Sequence, residues 1–219
     1  MYLGVTLDRT LSYRQHLQKS AAKVKSRNNL LSKLAGSTWG ANAETLRTSA
    51  LAHCYTVAEY CSPVWSRSAY TNAVDAQLNA SMRLISGTLR TTQLPWLPVL
   101  ANMPPPHLRR KAACDKLLHN VELLPDWSVH DDVFNHTAPR LSSRKPIWFD
   151  MIPVDVMARW RSDWQSSSVV NKHLVCDPTV RPPGFNLHRS TWSMWNRFHT
   201  GQGCCAANLH KWHIAPSDK

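Results

Sequence analysis

The chain lacks several of the features that mark a membrane or secreted protein. None of its apolar stretches approaches the roughly 20 residues that a membrane-spanning helix needs. Its first residues have neither a charged region nor a small-residue cleavage site, so no secretory signal is predicted. The 6 cysteines follow no framework spacing, and in a chain of 219 residues this pattern favours reduced thiols over disulfides. We therefore expect a soluble protein without a membrane partner, located in the nucleus or the cytoplasm.

The signatures of common enzyme classes are also missing. The sequence has no P-loop, no dinucleotide-binding fingerprint and no nucleophile elbow to accompany its 11 histidines. Cys204, Cys205, His210 and His213 form a C-C-x4-H-x2-H cluster, but the paired-cysteine arm of a zinc site is absent. Structural or incidental thiols are the favoured interpretation. We predict no cofactor, no metal site and no complete catalytic site in this chain.

One pair of adjacent carboxylates is a candidate for metal binding. Nucleotidyl transferases hold their metal ions with such pairs, on a rigid turn between apolar strands. Asp131 and Asp132 instead lie between prolines, in a stretch from Pro125 to Pro153 that is predicted to be mostly irregular. The pattern favours a solvated acidic loop.

Positive charge is the feature that the chain has in excess. Its 26 Lys and Arg residues against 14 Asp and Glu residues give a formal net charge of +12, which indicates a polyanionic partner. No acidic residue occurs between Asp8 and Glu44. A helix predicted from Ser12 to about Lys33 has an apolar stripe, and its cations lie opposite or beside that stripe. The predicted nucleic-acid-binding residues are Arg14, Lys19, Lys23, Lys25, Arg27 and Lys33.

Hydrophobic periodicity predicts a mainly α fold. Residues 2–7 are rich in apolar and β-branched residues and are predicted to form a short strand or hairpin arm. Three helices follow, from Ser12 to Gly36, from Asn42 to Ser62-Pro63 and from an N-cap at Thr71 to Gly87, and they suggest a helical bundle.

The second half of the chain is predicted to be rich in loops and tryptophan, with three further helical stretches. These stretches are expected at 108–124, after Pro153 and at 191–198. In the second of them, Asp155 and Arg159 are expected to pair across one turn. Trp160, Trp164, Trp192 and Trp195 offer rings that can stack on bases, but their helical spacing favours packing in the core.

Several stretches, taken in order, resemble the C-terminal part of the reverse transcriptases of non-LTR (LINE-type, jockey-like) retrotransposons. Residues 2–8, together with Leu11-Ser12-Tyr13 and His16, are similar to that family's Y-L-G-V-x-L-D…L-x-W-x-x-H segment. Residues 58–65 resemble its Y-G/C-x-P-V-W signature. Residues 83–92, followed by 97–100 and Pro104-Pro105, resemble its R-x-I-x-G-x-x-R-x-T-P…L…P-P stretch.

A fourth stretch extends the resemblance to nearly the whole chain. Residues 197–203 and 209–212 are similar to the family's R-x-R-T-G-x-G…L-x-K-W tail. The sequence departs from that tail at His199, where the family has arginine, and at His213, where it has glycine. The family's aromatic-A-D-D box, which holds the catalytic metals, does not occur in the sequence and is expected upstream. The family's zinc-knuckle-like cluster is expected beyond residue 219.

The resemblance implies a thumb-like helical subdomain at residues 1–92 and a connection region at 93–219. It implies a non-catalytic fragment of an RNA-directed DNA polymerase that holds an RNA–DNA template–primer. Tyr2, Leu3 and Gly4 would then lie near the primer end, and Mg²⁺ would act only in the intact enzyme, with the upstream palm and fingers. Two alternatives stay open: a domesticated protein–protein interaction module whose tryptophan-rich half packs a partner, and a truncated element copy without function.

Overall fold

The structure is a computed structural model, and it describes residues 1–36, 39–135, 152–214 and 216. It confirms the predicted mainly α fold. Within the described residues the α-helices are α1 (Arg14–Ser32), α2 (Ala43–Ala50), α3 (Thr56–Ala58), α4 (Ser62–Trp65), α5 (Asn72–Ser86), α6 (Trp96–Ala101), α7 (Pro106–Glu122), α8 (Ser128–Phe134), α9 (Val156–Ser166), α10 (Arg189–His199) and α11 (Ala206–Lys211). A π-helical turn, Leu51–Tyr55, joins α2 to α3, and a 3-10 turn covers Lys172–Leu174.

The first helix packs along α5 and forms the centre of the main core. Its apolar stripe buries Leu17, Val24 and Leu31, as the periodicity predicts, whereas Leu34 lies past the helix end and is half exposed. A polar contact fixes how the two helices face each other: the Asn28 amide nitrogen donates to the Gln77 carbonyl at 2.9 Å. Because Asn28 is almost fully buried, this bond can form only in one relative placement of α1 and α5.

The second predicted helix is found with two changes. Asn42 caps α2, since its side chain accepts a hydrogen bond from the backbone N–H of Thr45. The extra residue of the π-helical turn lets Cys54 and Tyr55 both reach the core. The helix is predicted to end at Ser62-Pro63, but it ends at Ala58, and Ser62-Pro63 instead opens α4. Proline is tolerated there because the first N–H groups of a helix have no intrahelical partner.

The predicted third helix is α5, with its expected end. Its apolar positions are buried, and Gly87 follows it in the left-handed conformation at φ 69°. The main core also includes residues beyond position 92, namely Leu97, Ala101, Met103, Phe185 and Trp192. The division of the chain at residue 92 therefore stays a prediction.

Two predictions about the second half are wrong in their local detail. Asp155 does not pair with Arg159 but caps α9, accepting from the N–H groups of Met157 and Ala158. Arg159 pairs with Asp163 instead, one turn further on. Part of the stretch predicted to be irregular is helical, since Asp131 and Asp132 lie on α8. Residues 136–151 of that stretch lie outside the described residues.

A second, smaller core contains three of the 10 tryptophans. Trp96, Trp160 and Trp164 pack with Val99, Leu100 and Leu108 between α6, α7 and α9. Trp192 belongs to the main core, so three of the four tryptophans predicted to be buried are buried. The fourth, Trp195, is 46% exposed, and it corrects that prediction.

Candidate nucleic-acid interface

The six predicted cations lie along α1 but do not form one row. Lys19, Lys23 and Arg27 follow each other at steps of four, which turns each one about 40° past the last and makes a gently winding edge. Arg14 and Lys25 are about three turns apart and lie on the opposite edge of the helix. The two edges flank the buried stripe on its two sides, so they frame the solvent face of α1.

The strip between these two edges carries no charge. It is formed by small or neutral exposed side chains, namely Gln18, Ala22, Ser26 and Asn29. Lys33 follows the last residue of α1 and continues the line of this strip. The solvent face of α1 therefore consists of a neutral middle, two cationic edges and a cation at its end.

The cations differ in how freely they can meet a ligand. Arg27 is half-buried and donates to the carbonyl of His53, and Lys19 donates to the Thr6 hydroxyl at 3.4 Å. The Arg14 guanidinium lies 5.4 Å from the centre of the Tyr70 ring. Lys23, Lys25 and Lys33 are exposed and have no acidic partner within the part of the chain that the structure describes. These three lysines are the best candidates for phosphate contact.

Local electrostatics agree with an uncompensated cationic edge. His16 is buried beside it, and its pKa is lowered first by burial and then by the charges of Lys23 and Lys19. The nearest acidic residue in the sequence, Asp8, is engaged in the turn before the helix. Its carboxylate accepts from the N–H of Ser12 at 2.7 Å and from the Ser12 hydroxyl at 2.8 Å, and these bonds lower its pKa.

Five arginines outside α1 are paired with acidic side chains. The basic start of α7 illustrates this, because Arg109 pairs with Glu59 and Arg110 pairs with Asp75. Further pairs join Arg159 to Asp163, Arg161 to Asp177 and Arg181 to Glu44. Lys23 and Lys25 on α1, and Lys33 just after it, differ from these five arginines because they have no acidic partner among the described residues.

Tyr2, Leu3 and Gly4 form a tight turn and not a strand. The backbone groups of Tyr2 and Val5 bond reciprocally at 2.9 and 2.8 Å, and Leu3 and Gly4 between them have φ of 43° and 83°. The turn is anchored by Tyr60, whose hydroxyl donates to the Leu3 carbonyl at 2.8 Å. A Cβ on Gly4 would lie 3.1 Å from that ring, so the approach of the ring favours glycine. The Tyr2 and Leu3 side chains remain exposed.

The end of α5 is in contact with α10. The last carbonyls of a helix have no intrahelical partner, and side chains of α10 supply one for several of them. Arg189 donates to the carbonyls of Leu84 and Ile85, at 2.7 and 2.8 Å, and Asn196 donates to Ser86 at 2.8 Å. Arg197 donates to Gly87 at 3.1 Å. Arginines are well placed at this end because the helix dipole is negative there.

The same junction is closed by a glutamine bridge. Gln202 accepts from the Thr92 hydroxyl and donates to the Thr91 hydroxyl, both at 2.9 Å. Residues 83–92 and 197–203, two of the stretches that carry the family resemblance, are therefore in direct contact. Residues 2–4 and Tyr60 join the other two stretches in the same way. Each of these four stretches therefore contacts a segment that is distant in sequence.

The other candidate sites do not assemble. Asp131 and Asp132 are both exposed, and a hydrogen bond from Asn135 lowers the pKa of Asp131. Cys204 and Cys205 are exposed free thiols at the start of α11. Among the described residues, no three His, Cys, Asp or Glu side chains are grouped in a way that could hold a metal ion.

A cavity of about 580 Å³ lies between α5, α6, α7 and α9. Its lining includes four prolines and the rings of Trp160 and Trp164. Its two carboxylates are already paired, Asp75 with Arg110 and Asp163 with Arg159. The third titratable group in its lining is His107, whose Nε2 lies 3.6 Å from the Asp163 carboxylate.

Sequence reasoning missed one exposed surface. Met194, Trp195 and Phe198 of α10 are 65%, 46% and 62% exposed, although the spacing of its tryptophans predicts a core helix. The sequence does contain a signal for this surface, because apolar residues occur on both faces of α10.

Comparison with known proteins gives no further assignment. No protein-family model matches the chain, and neither a curated protein nor a solved structure is significantly similar to it. Within the described ranges, none of the helices has the length and apolarity to cross a membrane.

Proposed function

We propose that this chain is the non-catalytic thumb and connection part of a non-LTR retrotransposon reverse transcriptase, an RNA-directed DNA polymerase. In this proposal α1 holds the RNA–DNA template–primer duplex through phosphate contacts. The observation that carries it is the solvent face of α1, where Lys23, Lys25 and Lys33 have no acidic partner among the described residues. Such a face costs self-repulsion in the free protein, and a polyanion removes that cost.

The two-edged arrangement suits a duplex. An α-helix is about 10–12 Å across with its side chains, so cations on both of its edges can reach the phosphates on the two sides of a groove. A-form helices present a wide, shallow minor groove, over which such a helix can lie. Because phosphate contacts carry no sequence information, little sequence readout is expected from the cations.

The proposal that the duplex is an RNA–DNA hybrid, and that a palm and fingers lie upstream, rests on the sequence resemblance. The upstream palm and fingers would bring the catalytic aspartates and Mg²⁺, and the turn of Tyr2, Leu3 and Gly4 would lie near the primer end. The residues present do not fit a catalytic magnesium site, because the exposed pair Asp131-Asp132 has no third ligand among the described residues. No polymerisation step is therefore assigned to this chain. The proposed location is the nucleus or the cytoplasm.

The proposal is tested by binding of a labelled RNA–DNA duplex as a function of salt. Removing one phosphate contact reduces the slope of log K against log salt by about 0.9. Lys23→Gln and Lys25→Gln, on opposite edges, should each weaken binding and reduce this slope. Lys116→Gln is the matched control, because it removes the same charge from an exposed site on α7. An equal loss of affinity in all three variants would show that net charge, and not the α1 face, binds the duplex.

A second measurement separates the proposal from its alternatives. The chain alone should not extend a primer on an RNA template in Mg²⁺, and incorporation by the wild-type chain would contradict the non-catalytic assignment. Affinity that fails to fall steeply with salt would favour the protein–protein module. A broad, non-cooperative thermal melt would favour a truncated copy without function.

A further inference from the structure

The exposed side of α10 is apolar and aromatic, whereas its other side is buried in the protein. Arg189, Trp192, Ser193 and Asn196 are buried against the end of α5. The opposite side presents the three side chains Met194, Trp195 and Phe198, which we call the α10 aromatic face. Exposed apolar groups of this size, side by side on one helix, indicate an interaction surface.

The Trp195 ring contacts a buried series of aromatic rings. It meets the His199 ring edge-on at 5.0 Å between centroids. His199 is buried and stacks on Trp96 at 6.1 Å with only 7° between the planes. Trp96 in turn meets Trp164 at 4.9 Å in the smaller core. A ring packed against other rings has less conformational entropy to lose when a ligand stacks on it.

The segments that carry the α10 aromatic face and the end of α5 contain no acidic residue. The sequence has no Asp or Glu from 178 to 217, and none from 76 to 114, the stretch that includes the end of α5. Arg197 lies on α10 itself, and Lys211 lies on α11 just beyond it. Arg90 is exposed and precedes Thr91, which is bonded to Gln202 at the same junction. Charge complementarity therefore favours a polyanion over a neutral protein surface.

We propose that the α10 aromatic face binds unpaired nucleotides of a single strand, with bases stacked on Trp195 and Phe198 and phosphates near Arg90, Arg197 and Lys211. In a duplex the faces of the bases are already stacked on neighbouring bases. Exposed protein rings therefore stack on the bases of unpaired nucleotides. Stacking tolerates any base, and the same chemistry applies to RNA and to DNA. The α10 aromatic face includes none of the α1 cations, and the inference does not require the proposed function.

The test is fluorescence anisotropy of the full chain with labelled oligo(U) and oligo(dT), each about 12 nucleotides long to span one single-strand site. Trp195→Ala and Phe198→Ala should each weaken binding about 5- to 100-fold, the range expected when one stacked base loses its ring. Trp195→Phe should keep most of the affinity, because it keeps a ring. Met194→Ala is the matched control: it removes an exposed apolar side chain of the same face without removing a ring, and it should change affinity less than twofold.

Several results would overturn the inference. One is that the Trp195 and Phe198 variants bind the single strands as tightly as Met194→Ala does. Another is that all three variants lose affinity equally, since this would indicate apolar adhesion without stacking. Self-association of the wild-type chain that Trp195→Ala abolishes, with single-strand affinity unchanged, would make the face a protein interface. The Phe198 variant keeps the test valid if Trp195→Ala unfolds the chain, because Phe198 is the more exposed of the two.

Failure here is distinguishable from failure of the proposed function. Duplex binding through α1 is measured with Lys23→Gln and Lys25→Gln, and the α10 variants should leave it within about twofold. Loss of single-strand binding alone, or of duplex binding alone, identifies which surface is responsible.

Discussion

Because Ser193 lies close to Gly87, we expect a side chain at position 87 to lower the stability of the fold. Gly87 ends α5 at φ 69°, and a Cβ built there would lie 2.1 Å from the Ser193 hydroxyl oxygen. It would also lie 2.7 Å from the Ser193 Cβ and 3.0 Å from its Cα. Both the backbone conformation and the approach of α10 therefore oppose any side chain at position 87.

Gly87→Ala combines two costs. A non-glycine residue in the left-handed region costs about 1–2 kcal/mol. Overpacking in a filled interior costs about 1–3 kcal/mol. Their sum, about 2–5 kcal/mol, corresponds to a melting temperature lower by roughly 4–20 °C at this chain length. Urea unfolding followed by tryptophan fluorescence and by far-ultraviolet circular dichroism measures the loss of stability directly.

A double-mutant cycle separates the two costs. Ser193→Gly alone should cost about 0.5 kcal/mol, because glycine has a lower helix propensity than serine. In the double variant the two closest approaches are removed, so its destabilisation should be smaller than the sum of the single effects by about 1–3 kcal/mol. Gly203→Ala is the control, because its Cβ would meet only ordinary neighbours at 3.6–3.9 Å. A Gly87→Ala destabilisation no larger than that of Gly203→Ala, or strict additivity in the cycle, would refute the close approach of α10 to α5.

Three further outcomes are expected. Asp155→Ala should lower stability by about 1 kcal/mol, because the α9 cap is removed, and Asp155→Asn should restore most of it; equal melting points for both variants would exclude the cap. Asn28→Ala should cost about 1–3 kcal/mol in urea unfolding, because Asn28 also accepts from the Ser81 hydroxyl at 2.6 Å; a neutral result would contradict the α1–α5 placement. Burial lowers the pKa of His199, so the unfolded chain takes up a proton near pH ~6.5 that the folded chain does not. Stability should therefore fall as the pH drops below about 6.5, and His199→Phe should weaken this dependence in urea titrations at pH values about one unit above and below that point.

The sequence alone determined the helices and those helix ends that depend on interactions between residues close in sequence. The stripe of Leu17, Val24 and Leu31 places α1 against the core, since residues three or four apart share a helix face. Asn42 at the start of α2 and Gly87 at the end of α5 act through their own backbone neighbours. The same reasoning located the cations of α1, because no acidic residue occurs nearby in the sequence to neutralise them.

The tertiary structure decided which of these groups are already engaged. Sequence spacing could not show that Arg109 and Arg110 have acidic partners on distant segments, or that Arg27 donates to a carbonyl. It suggested a pair of Asp155 with Arg159, but the free N–H groups at the start of α9 compete for that carboxylate and bind it. Trp195 has the helical spacing of a core residue, and only the packing of α10 on α5 turns its ring toward solvent. Partners distant in sequence are chosen by the fold, and so the charge and apolar surface left for a ligand are defined only once the chain is folded.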